Sequence, residues 1–151
     1  MDESQSLCEI LHHRATSAAD ADRVFVTVWS AAKGVERTLT FAEYGNAVAS
    51  GAKALAAAAV AKGDRVAFLS KGTLDFWIAL LSVQALGATP VLLNWRQSME
   101  NLIGMVNDAK ATSLLVAAPY HDTGRSLVQI LSGEELTLAF ADLPSSHTLP
   151  F

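Results

Sequence analysis

At 151 residues with a formal net charge of −4, the chain is sized for one domain with a real core and is too short for two comfortable ones. Eleven basic against fifteen acidic residues, with no basic run, speak against nucleic acid as a partner, and the single Cys8 excludes an internal disulfide and fits a reducing, cytoplasmic compartment. Charged residues reach only 17% against about 25% in typical soluble domains, and apolar residues reach 51%, so some apolar surface is expected either to be covered by another polypeptide or to drive self-association.

Residues 6–18 carry Leu7, Ile10, Leu11 and Arg14, which predicts a short amphipathic helix. The start Met1-Asp2-Glu3 is acidic where signal and transit peptides open basic, so neither is expected. Residues 23–29 alternate β-branched and aromatic side chains, a strand signal, and the turn Ala32-Lys33-Gly34 returns the chain over 36–39 as a hairpin. Thr40, with Glu43 three residues on, forms a capping box, and Leu39 and Tyr44 can close a hydrophobic staple around it. Phe41, Tyr44, Val48, Leu55 and Ala59 mark the buried face of the helix that follows. Gly45 and Gly51 each cost that helix about 1 kcal/mol relative to alanine, so packing must hold it. Gly63 is expected to end it in the left-handed conformation, with Asp64 folding its carboxylate onto nearby amides.

Residues 65–69 have the continuous apolar texture of a strand covered on both faces. Thr73 caps a largely buried helix over 74–86, Asp75 sits in its positive first turn, and Gly87 ends it. Residues 89–93 form another core strand, with Pro90 tolerable near its start; Ser98 caps a helix running to Asn107, and 113–117 is again an apolar strand. A helix over 126–131, a strand over 136–140 and a loop over 143–151 complete the reading. The uncharged run over 76–95 is long enough to cross a membrane, but Gln84, Gly87 and Pro90 interrupt it. Its helical part spans roughly 20 Å against a hydrocarbon core of about 30 Å, so no membrane span is expected. The element order predicts an α/β fold: a doubly wound, mostly parallel sheet with flanking helices and right-handed crossovers, preceded by a short helix and a β-hairpin. The segments expected are a lead-in over 1–22, the α/β unit over 23–141 and a terminal loop over 142–151.

Ligands of such sheets bind beyond the carboxyl ends of the strands, here Ser70-Lys71-Gly72, Asn94-Trp95-Arg96-Gln97 and Ala118-Pro119-Tyr120-His121. Lys71-Gly72-Thr73 resembles a phosphate loop only superficially, because a P-loop places its lysine after the glycine and a second glycine five residues earlier. Arg96 could meet an anion and His121 could titrate near neutrality, although a plain surface arginine is the more ordinary reading of the first. His12 and His13 are adjacent and point about 100° apart on a helix, which suits solvated histidines better than zinc ligands at i and i+4. Cys8 has no catalytic partner in the sequence, and neither a Gly-x-Ser-x-Gly elbow nor a Gly-x-Gly-x-x-Gly turn occurs. No catalytic, cofactor-binding or metal-ligating residue is therefore assigned.

Three ordered stretches carry a resemblance. Leu39-Thr40-Phe41-Ala42-Glu43-Tyr44, Lys62-Gly63-Asp64-Arg65-Val66-Ala67 and 85–94, Ala-Leu-Gly-Ala-Thr-Pro-Val-Leu-Leu-Asn, resemble the N-terminal part of the AMP-dependent (adenylate-forming) synthetase and ligase superfamily, most of all its acyl-CoA synthetases. The likeness spans about 24–117. Phe41 stands where the superfamily has tyrosine, Tyr44 where leucine is common, and Ala59 where glycine is frequent. A complete member is implied to use ATP, magnesium and coenzyme A, activating a carboxylic acid as an acyl-adenylate and then transferring the acyl group. The superfamily's Pro-Lys-Gly phosphate loop, its aromatic-Gly-x-Thr-Glu motif, its ribose-binding aspartate and its C-terminal lysine have no counterpart in these residues, so this chain alone is expected to bind no cofactor and to be inactive. The resemblance implies an N-terminal fragment whose partner is the missing C-terminal part. A non-catalytic interaction module that pairs with another subunit, and an independent domain binding a small anion at Arg96 and His121, are the alternatives. A reading frame continuing into a Thr-Gly-x-Pro-Lys-Gly loop would favour the fragment.

Overall fold

In the computed structural model, residues 6–132 and 139–142 are described. Helix α1 (Leu7–Thr16) opens the fold, followed by the hairpin strands β1 (Val24–Ser30) and β2 (Gly34–Thr40) and helix α2 (Phe41–Ala57). The α/β part runs β3 (Arg65–Leu69), α3 (Leu74–Ala85), β4 (Thr89–Leu92), α4 (Met99–Ala109), β5 (Ser113–Val116), a 3-10 turn at Ala118–Tyr120, α5 (His121–Leu131) and β6 (Ala139–Asp142). The strand expected over 136–140 is found at its second half and extends to Asp142; the rest of it, and the loop expected over 143–151, lie outside the described residues.

Four parallel strands in the order β4-β3-β5-β6 form the main sheet. Alternation along β3 sorts the two faces. Val66 and Phe68, with Leu115 of β5, pack against Phe76, Ala79 and Val83 of α3 and Leu55 of α2. Ala67 and Leu69, with Leu114 and Val116, pack against Leu102 and Val106 of α4 and Leu127 and Leu131 of α5. With α3 on one face and α4 and α5 on the other, the sheet is doubly wound, as the element order predicts. Pro90 lies in β4, which among the described residues is an edge strand bonded only to β3, where a missing N–H costs the ladder little.

On the outer side of the α2–α3 layer, α1 and β2 bury Leu11, Leu39, Tyr44, Ala47, Val48, Ile78 and Leu81 in a third cluster. The two costly glycines of α2 sit where its neighbours come closest. A side chain at Gly45 would meet Cβ of Ala15, and one at Gly51 would collide with Oγ of Ser82. Ser82 is fully buried and donates to the carbonyls of Ile78 (2.8 Å) and Val48 (3.0 Å), so a hydroxyl stitches α3 to α2 without leaving a polar group unpaired. The caps read from sequence are in place: Thr40 and Glu43 exchange side-chain bonds with each other's amides, at 3.2 and 2.8 Å, and Thr73 and Ser98 cap α3 and α4.

The end of α2 departs from expectation. Helix α2 stops at Ala57 rather than at Gly63, and Ala59 takes φ 66°. The amide of Val60 bonds to the carbonyl of Leu55 and that of Ala59 to Ala56, both at 3.0 Å, a Schellman closure sealed by the buried Val60–Leu55 pair. Helix α3 ends the same way around Gly87 (φ 73°), with Ala88 bonded to Val83, and α4 around Lys110 (φ 51°), with Ala111 bonded to Val106. Gly63 adopts φ 91° in the following turn, where its amide bonds to Gly87 and the Asp64 carboxylate accepts from the amide of Ala61.

Candidate functional site

The winding of the sheet changes direction between β3 and β5, whose following helices, α3 and α5, leave on opposite faces. Ligand crevices of doubly wound sheets open at the carboxyl ends of strands at such a switch point. Three loops meet there. Trp95, after β4, has its ring 5.7 Å from that of Tyr120, after β5, with the planes tilted by 39°. Lys71 Nζ, after β3, lies 4.8 Å from the Trp95 ring centroid, and the guanidinium carbon of Arg96 lies 4.6 Å from it. Each contact contributes about 0.5–1 kcal/mol at an exposed site, enough to bias the two side chains toward the indole without fixing them.

Local bonding holds the loop that carries Trp95 and Arg96. Asn94 accepts the amide of Arg96 on its side chain (3.1 Å) and that of Gln97 on its carbonyl (2.9 Å), a compact Asx turn. Gln97 in turn accepts from the side chain of Asn101 on α4. The loop after β3 is tied differently. Ser70 Oγ and the Thr73 amide both donate to the carbonyl of Lys71, at 2.8 and 2.9 Å, and Thr73 Oγ1 accepts the amide of Phe76. A donor of the first turn of α3 is thus already used by the cap, and Gly72 is not in the left-handed region, so the loop does not form a curled amide cradle for phosphate. What the three loops offer is a paired positive charge on an aromatic platform, an arrangement able to attract an anionic group.

The sequence-derived candidates distribute unevenly. Arg96 joins the cluster, and its companion at the indole is Lys71, which sequence reasoning set aside together with the phosphate-loop resemblance. His121 is half-buried at the first position of α5, one residue beyond Tyr120. His12 and His13 are both exposed on α1. Cys8 donates through Sγ to the carbonyl of Leu81 (3.6 Å); burial, reinforced by Glu9, pushes its thiol pKa up and away from the reactive thiolate. Among the described residues, no group of three or more His, Cys, Asp or Glu side chains gathers in metal-binding range, and no helix is long and apolar enough to cross a membrane.

A second concavity lies away from the sheet, between the hairpin and α3. It holds about 660 Å³ and is lined by Leu7, the five successive residues 25–29 of β1, Tyr44, and Leu74, Trp77, Leu80 and Leu81 of α3, with Gly72 and Thr73 at one end. None of these residues is charged. Trp29 is 64% exposed and Trp77 is 51% exposed, so two indoles stand open to solvent at one groove. The uncharged run 24–30 marks only one wall of this feature in the sequence, and the other wall comes from the distant α3.

The comparisons with known proteins agree with the fold. The sequence model of the family described as AMP-binding enzyme matches residues 12–148. The 3-[(3aS,4S,7aS)-7a-methyl-1,5-dioxo-octahydro-1H-inden-4-yl]propanoyl:CoA ligase of Rhodococcus jostii (strain RHA1) is 33% identical over 105 residues, which are 70% of this chain and 20% of the ligase. The hybrid PKS-NRPS synthetase poxE of Penicillium oxalicum is 30% identical over 112 residues, 74% of this chain and 3% of the synthetase. Among solved structures, the o-succinylbenzoate CoA synthetase of Bacillus subtilis in complex with its acyl-adenylate intermediate superposes with a TM-score of 0.74 at 24% identity, covering 92% of this chain and 32% of that one. The chain thus spans from a few hundredths to about a third of the length of these proteins, and it matches the N-terminal part of AMP-binding enzymes. With the family's model extending over nine-tenths of its residues, the chain belongs to the AMP-binding enzyme family.

Proposed function

We propose that this chain is the N-terminal scaffold of an acyl-CoA synthetase-like ligase, in which a carboxylic acid reacts with ATP and magnesium to give an acyl-adenylate and pyrophosphate, and the acyl group then passes to coenzyme A. The observation that carries this reading is the family match over 12–148, supported by the ordered likeness at 39–44, 62–67 and 85–94. These residues build β2, the start of α2 and the parallel strands β3 and β4, which are framework rather than chemistry. The phosphate loop, the magnesium-binding acid and the lysine that such chemistry requires have no counterpart here, so the 151 residues act as a platform in a cytoplasmic enzyme and the partner completing it is the rest of the ligase. Pyrophosphate release with mixed aliphatic and aromatic acids tests this. It is expected from the polypeptide extended through a Thr-Gly-x-Pro-Lys-Gly loop and a lysine-bearing C-terminal domain, and not from residues 1–151. Release by the short chain itself would overturn the proposal, as would an extended protein that binds ATP and never releases pyrophosphate.

The Lys71–Trp95–Arg96 platform favours one second reading, in which the chain binds a small anion by itself. Inorganic phosphate titrated against tryptophan fluorescence separates the two. Quenching that saturates, and that Lys71→Ala and Arg96→Ala each abolish, would support the anion reading; no response would remove it.

A further inference from the structure

We draw no further inference here: the strongest candidate, the uncharged groove between the hairpin strand β1 and α3, is an apolar face for which nothing in the structure shows what covers it.

Discussion

Strands β1 and β3 are written in nearly the same alphabet and live in opposite surroundings. Strand β3 has Val66, Ala67, Phe68 and Leu69 all buried, with β4 bonded to one edge and β5 to the other and a helical layer on each face. Strand β1 has Val24, Phe25 and Trp29 exposed and a neighbour on one edge only among the described residues. The difference teaches that an apolar strand texture reports the conformation of the segment and not whether the fold finishes covering it. In β3 burial is completed by elements within a few dozen residues. In β1 only the inner side is completed, where Phe25 stacks on Phe41 and meets Tyr44 edge-on at 5.1 Å.

Truncating the two strands should separate them most sharply. Phe68→Ala removes a fully buried ring that also contacts Phe76 edge-on, and should cost about 3–5 kcal/mol. Trp29→Ala removes a larger ring from solvent and should change stability by no more than about 0.5 kcal/mol. Urea midpoints at constant slope would report both, and equal losses would erase the contrast. At the junction of the hairpin with α2, Thr40→Ala should lose about 1 kcal/mol by the same measurement, since it breaks one half of the capping box. An unchanged midpoint would mean that water serves the Glu43 amide equally well.

Smaller effects test the edges of the comparison. Ala59→Gly relieves a left-handed alanine that costs about 1–2 kcal/mol, less the extra freedom of glycine when unfolded, and should stabilise by roughly 0.5–1 kcal/mol. Loss of stability would indicate that the Ala59 methyl packs rather than strains. Tyr44, beneath Phe25, is a pH probe of how dry the inner side of β1 is. Burial pushes its phenol up to about 12, so the neutral form is favoured in the folded state. Its contribution is complete below pH 10, where the unfolded phenol titrates, and is lost as pH rises toward 12. Melting temperature should fall across that window more steeply than in Tyr44→Phe; superimposable profiles would mean that the ring is wet.

Much of this was legible in the sequence because it is local. The capping box at Thr40 and Glu43, the hairpin turn near Gly34, and the alternation of strands and helices from Arg65 onward all follow from residues within one or two turns of each other. The end of α2 was not legible: Gly63 is the better left-handed residue by propensity, but the Val60–Leu55 contact closes the helix earlier and forces Ala59 into that role. The platform at Trp95 was half legible, since Arg96 adjoins it in sequence while Lys71 arrives from a different strand end. The groove along β1 was illegible for the same reason, because its far wall belongs to α3.

The most direct test of the proposal that this chain is a ligase scaffold without a nucleotide site of its own is a calorimetric titration of the folded 151-residue chain with ATP and magnesium. The account predicts only heats of dilution up to millimolar nucleotide, because the Phe76 amide at the start of α3 is already bonded to Thr73 Oγ1, Gly72 is not in the left-handed region, and no Gly-x-x-x-x-Gly-Lys-Ser/Thr loop occurs in these residues. Saturable binding at micromolar concentration would contradict it.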